Sequence, residues 1–123
     1  MAFVLKQSAT YTWPVTLILP VNGGRREKHT FDAEFRRLPQ TRINELRRMG
    51  QAMANGPVPE DEELIDQDAA REVLAGWSGV VDDEGNEIPF SESKLNELLE
   101  IPTIANQIFK AWFDSIEVAK KKN

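Results

Sequence analysis

The chain predicts an α+β fold in which an N-terminal antiparallel β-hairpin packs against a bundle of about four α-helices. Three observations carry that prediction. Two runs with alternating apolar and polar residues, Tyr11 to Leu19 and His29 to Phe35, flank Asn22-Gly23-Gly24. Four later segments carry apolar residues at helical spacing, most with start or stop signals beside them. The length of 123 residues leaves room for one core only, so strands and helices must share it as a single domain, with residues 1–10 and 119–123 expected as frayed ends.

In the first strand Tyr11, Trp13, Val15, Leu17 and Leu19 alternate with Thr12, Pro14, Thr16 and Ile18. Pro14 removes one ladder donor, which makes this an edge strand or gives it an irregular start. The second strand sets His29, Phe31, Ala33 and Phe35 against Lys28, Thr30, Asp32 and Glu34. Register follows from the faces. A two-residue Asn-Gly turn would place Leu17 opposite Lys28 and mix them. A three-residue loop pairs Val21 with Arg25, Leu17 with His29, Val15 with Phe31 and Trp13 with Ala33, keeping one face apolar. Gly24 is then the expected left-handed residue.

After Leu38-Pro39 a helix runs from about Gln40 to Ala54, with Ile43, Leu46, Met49, Gly50 and Met53 inward and Arg42, Glu45, Arg47 and Arg48 wet. Asn55-Gly56-Pro57 stops it, and Pro57-Val58-Pro59 is a stiff connector. Pro59 followed by four acids, Glu60 to Glu63, starts the next helix, which carries Leu64, Ile65, Ala69 and Val73. Glu72 to Trp77 reads equally as helix or strand. Ser91 caps a helix bearing Leu95, Leu98 and Leu99, with Glu92 adding favourable charge. Pro102 opens the last helix, to about Val118. There Ile104, Ala105, Ile108, Phe109, Ala111, Trp112, Phe113 and Ile116 cover an arc of about 200°, wider than one core needs. Either the helix lies deep between the hairpin and the Ser91 helix, or an edge of it is left for a partner.

Little here points to chemistry. There is no cysteine, hence no disulfide or thiolate metal site. No run is long enough to span a bilayer, and no basic-then-apolar signal follows Met1. A net charge of −5 argues against broad phosphate-backbone binding, so neither nucleic acid nor membrane is expected as a partner. His29, the only histidine, reads as a core or edge residue rather than a catalytic base. Placing Gly85 at the glycine of a calcium loop puts Val80 and Ser91 at the first and last ligand positions, which breaks the pattern. Asn22-Gly23-Gly24 lacks the Lys-Ser/Thr of a phosphate loop. No metal, cofactor or enzymatic activity is expected.

The most distinctive stretch runs from Gly76 to Pro102. Gly76, Trp77 and Gly79 lead into the acidic turn Asp82-Asp83-Glu84-Gly85-Asn86, and Pro89, Phe90 and Ser91 lead out to the leucine-bearing helix. Gly85 suits the positive φ of a tight turn, and Trp77 and Phe90 are expected to be largely buried over it. This Gly-Trp-x-Gly-Val-x-Asp-x-x-Gly-x-x-x-Pro-Phe-Ser run resembles the tail assembly chaperones of long-tailed bacteriophages and prophages. The resemblance extends more weakly over nearly the whole chain, including the Pro20 to Phe35 hairpin. It implies a protein of the host bacterial cytoplasm that binds the tape measure protein, assists tail tube subunits to assemble on it, and is absent from the mature virion. The alternative is a small structural tail or connector subunit.

Phe109, Trp112, Phe113 and Ile116 are the expected partner-binding residues, for the tape measure protein, the tail tube protein or a second copy of the chain. Lys120-Lys121-Lys122-Asn123 reads as a solvated tail. Lys-Lys-Asn also fits a slippery AAA AAA AAC message. Since relatives of the resembled family commonly make a longer product by such a slip, the chain is expected to be the short form of two.

Overall fold

Register and loop together set the sheet. The structure is a computed structural model that describes residue 3, residues 5–54 and residues 60–116, without the side chains of 49–54 and 60–66. Strands β1 (Thr10–Val21) and β2 (Arg25–Arg36) pair antiparallel, with Val21 opposite Arg25, Leu17 opposite His29 and Val15 opposite Phe31. This is the register that keeps one face apolar. Val15, Leu17, Phe31, Ala33 and Phe35 are buried on it, while Thr12, Thr16, Lys28, Thr30 and Asp32 on the other face are exposed. The loop uses two left-handed residues where one was expected, Gly23 (φ 88°) and Gly24 (φ 75°). Ala9, within the end expected to fray, accepts from the backbone N–H of Arg37 at 2.9 Å.

The stretch from Glu72 to Trp77 is both helix and strand. Helix α2 (Glu60–Val73) runs directly into β3 (Leu74–Ser78), which pairs antiparallel with β2 and makes a sheet of order β1-β2-β3. Arg36 makes the junction possible. Its Nη1 donates to the carbonyls of Arg71 (3.1 Å) and Glu72 (2.9 Å), groups that a helix end leaves unpaired, and to that of Leu74 (3.3 Å) at the start of β3. The hairpin therefore gains a third strand, and β1 and β3 are its edges.

Three more helices, α1 (Gln40–Ala54), α3 (Glu92–Leu99) and α4 (Ile104–Ile116), complete the fold. In α1 Leu46 is fully buried and Ile43 half-buried. The side chains of Met49, Gly50 and Met53, the stop at Asn55-Gly56-Pro57, the Pro59 connector, and the side chains of Leu64 and Ile65 lie outside the described residues, as does the tail after Ile116. Further along α2, Ala69, Ala70 and Val73 are buried. Arg42 ties α1 to α2 by a two-pronged ion pair with Glu72, both contacts at 2.7 Å.

The last helix begins two residues later than Pro102. Thr103 takes φ 69°, Ile104 N–H bonds the Ile101 carbonyl at 3.2 Å, and only then does α4 proceed. The left-handed step turns the chain between α3 and α4 in place of a direct helical start. Helices cover the apolar face of the sheet near the hairpin base but not at its tip. His29, on that face, is consequently exposed rather than in the core, its ring 3.3 Å from Glu27.

Candidate functional site

Four separated segments meet at the hairpin base and line a groove of about 340 Å³. Tyr11 comes from β1, Arg36 to Leu38 from the end of β2 and beyond, Ile43 from α1, and Trp112 with Ile116 from α4; Gln7 lies alongside. The apolar wall is fixed by contacts behind it. Trp112 is 1% exposed, stacked on Phe109 at 5.8 Å and tilted against Phe113 at 5.1 Å. Tyr11 meets Phe35 edge-on at 6.0 Å. The Ser115 hydroxyl donates to the Trp112 carbonyl (2.6 Å), so the 2.7 Å contact with Tyr11 has the phenol as donor.

Charge sits at the rim. The Arg37 guanidinium lies 4.9 Å from the centre of the Tyr11 ring, a cation–π contact made by an exposed side chain. Arg36 is committed to the α2 carbonyls. Arg42, next to Ile43 in α1, holds the Glu72 carboxyl below the usual range by hydrogen bonding, against a desolvation that would raise it. The same bond raises the Arg42 guanidinium further above its ordinary value. Among the described residues no His, Cys, Asp or Glu lines the groove. What it offers is apolar contact beside a positive charge.

The expected partner residues divide. Phe109 (6% exposed) and Trp112 (1%) belong to the core, because α2, α3 and β1 all pack on α4 and use up most of its wide arc. They are not free surface. Phe113 and Ile116 are half-buried, and Ile116 with the edge of Trp112 reaches the groove.

The Gly76 to Ser91 motif turns its polar groups inward. Asp82 accepts from the backbone of Glu84 and Asn86 through Oδ1 (both 2.9 Å), and its carbonyl accepts from Gly85 N–H at 3.0 Å. Gly85 holds φ 87°. Val81 bridges Glu87, and Ile88 N–H bonds the Val80 carbonyl at 2.7 Å, closing a small ribbon. Trp77 Nε1 donates to the Ile88 carbonyl (2.8 Å), and its ring meets Phe90 edge-on at 4.9 Å. Both rings pack against the core and are partly exposed, less completely covered than Trp112, and Trp77 stands on an edge strand. Pro89 is exposed between them. Ser91 caps α3 by accepting from Lys94 N–H at 3.1 Å. Gly79 turns the chain off β3 at φ 88°, a left-handed conformation that a side chain would strain, with room for a Cβ beside Phe31. A Cβ at Gly76 would come within 2.8 Å of Glu34 Oε1, itself beside the Thr10 hydroxyl that bonds its other oxygen.

One residue with a role had no signal in the sequence. Gln107, mid-α4, donates to the Ile18 carbonyl (3.0 Å) and accepts from the Ile18 N–H (2.8 Å), pairing with the outer edge of β1 as a strand would. A lone glutamine in a helix reads only as a polar position. Among the described residues no group of three or more His, Cys, Asp or Glu is arranged to hold a metal, and no helix is long and apolar enough to cross a membrane.

No curated protein and no solved structure matches the chain. A family model described as YdaY prophage protein matches residues 29–122, from the middle of β2 through the turn motif and all of α4. The match takes in most of the groove and spans well over half the sequence, and the chain therefore belongs to the YdaY prophage protein family.

Proposed function

We propose that this prophage protein is a tail assembly chaperone of the host cytoplasm. It holds the tape measure protein while tail tube subunits assemble and does not enter the finished particle. The observation that carries this reading is the groove at the hairpin base, with Trp112, Ile116, Leu38 and Ile43 as its apolar wall and Arg37 at its rim. A long helical ruler exposes apolar stripes that need temporary cover before the tube encloses them. A groove of this kind takes the apolar edge of such a helix, and the cationic rim favours a segment with an acidic residue beside its apolar ones. The work is contact, not catalysis. The resemblance of the Gly76 to Ser91 run to tail assembly chaperones and membership of a prophage family point the same way.

The test is co-expression with the tape measure protein of the same prophage, followed by analysis of purified particles. Co-purification from the cell and absence from the particle are expected. Presence in the particle at fixed copy number would make it a structural tail or connector subunit instead.

A further inference from the structure

The two outer flanks of the hairpin are treated differently. In an antiparallel strand the N–H and C=O of one residue point to the same side, and sides alternate along the chain. Ile18 fixes the phase of β1, because both of its backbone groups bond Gln107 and so point away from β2. Pro14 and Pro20 share that phase, so the donors they lack are outward ones. Two prolines and a side-chain amide thus obstruct strand addition along this flank.

Carried through the register, the same phase turns Arg26, Lys28, Thr30, Asp32 and Glu34 of β2 away from β1. Asp32 and Glu34 meet Ser78 and Gly76 of β3. Arg26, Lys28 and Thr30 lie past the end of β3, where Gly79 bends the chain off the path of β2. Among the described residues no hydrogen bond reaches their backbone groups. All three are exposed. The surrounding charge is positive, with Arg25, Arg26 and Lys28 against Glu27.

We propose that the backbone edge at Arg26, Lys28 and Thr30 is a docking site for an acidic extended segment of a partner protein. The segment adds to β2 as a strand in line with β3. Main-chain hydrogen bonds supply the pairing, and the positive tip selects acidic side chains. A second copy is a poor occupant of this edge: antiparallel self-pairing about Lys28 sets lysine against lysine, and like charges directly opposite are destabilising.

A synthetic peptide alternating glutamate with valine, about eight residues long, is a suitable probe. Amide exchange followed by NMR is the readout. In the free chain the amides of Arg26, Lys28 and Thr30 should exchange faster than those of Glu27 and His29, which face β1. Adding the peptide should protect the first three. The same peptide N-methylated along one edge, or with lysine for glutamate, should not protect them. Lys28→Pro deletes an outward donor and leaves the β1 ladder intact, and Lys28→Glu reverses the charge; each should weaken binding about tenfold or more. Three results would overturn the proposal. They are no protection by the acidic peptide, equal protection by either control peptide, and self-association of Lys28→Ser without peptide binding, which would make Lys28 only a guard against aggregation. The wild-type comparison with the N-methylated peptide decides the matter even if Lys28→Pro does not fold.

Discussion

The acidic turn and the groove are each built around a tryptophan, and they use it in opposite ways. Around Trp77 the polar handles are spent within the motif: the indole N–H on Ile88, the Asp82 carboxylate on two backbone amides, the Ser91 hydroxyl on the next helix. Around Trp112 the ring is buried from behind, and its edge joins Leu38, Ile43 and Ile116 to leave apolar surface without an occupant among the described residues. A contiguous motif that consumes its own hydrogen bonds is a folding device. A groove that four separated segments assemble and none fills is where a partner has something to gain. The contrast predicts that damage to the turn shows in stability, and damage at the groove mouth shows in binding.

Among truncations to alanine, the largest effect belongs to the ring shared by core and groove. Trp112→Ala should cost about 3–5 kcal/mol, because the side chain is fully buried and its loss leaves a cavity beside the Phe109 and Phe113 rings. Phe109→Asp should prevent folding altogether by burying an unpaired carboxylate, so loss of partner binding in that variant would carry no information about contact. Chemical denaturation separates these from Trp77→Ala, expected at about 2 kcal/mol because that ring is only half-buried. A Trp77→Ala midpoint shifted as far as that of Trp112→Ala would erase the distinction between the two rings.

Smaller shifts sharpen the comparison. Ser91→Ala removes one helix cap and should cost about 1 kcal/mol. Glu72→Gln breaks the pair that braces α1 beside the groove. With the two side chains 31% and 38% exposed, solvent screening reduces the expected cost to about 1 kcal/mol at neutral pH. Glu72 has a lowered folded-state pKa, so its contribution is present above the ordinary carboxylate value of 4.5 and fades as pH falls through the lower folded value. The gap between wild type and Glu72→Gln should therefore close on acidification; a gap that widens would contradict the assignment.

How much of this was legible in the sequence follows from how local each feature is. The hairpin register could be derived because faces alternate with a period of two and only one pairing keeps Leu17 and Phe31 on the same side. The Ser91 cap and the Gly85 turn were legible for the same reason, each resting on residues a few positions apart. Strand β3 was not. Leu74-Ala75-Gly76-Trp77-Ser78 lacks alternation, and what makes it a strand is pairing with β2, with Arg36 gathering carbonyls from the end of α2 and the start of β3, 35 to 38 residues away. The late start of α4 depended on Thr103 taking a left-handed conformation that a β-branched residue seldom adopts, where Pro102 looked like the natural first position. The apolar arc of α4 was read correctly, but its division between core and surface depended on which helices lie against it, so Phe109 and Trp112 fell on the wrong side. The groove left no pattern at all, its walls being spread from Tyr11 to Ile116.

The central claim is that the groove, and not the core behind it, meets the tape measure protein. Co-purification with that protein of Ile116→Asp and Leu38→Asp, one from each wall of the groove, tests it most directly. Both positions are half-buried, so each substitution should cost only about 1–2 kcal/mol and leave the domain folded by circular dichroism. The account predicts folded variants that no longer retain the tape measure protein, beside a Ser91→Ala control that still does. Folded variants that bind as well as wild type would contradict it.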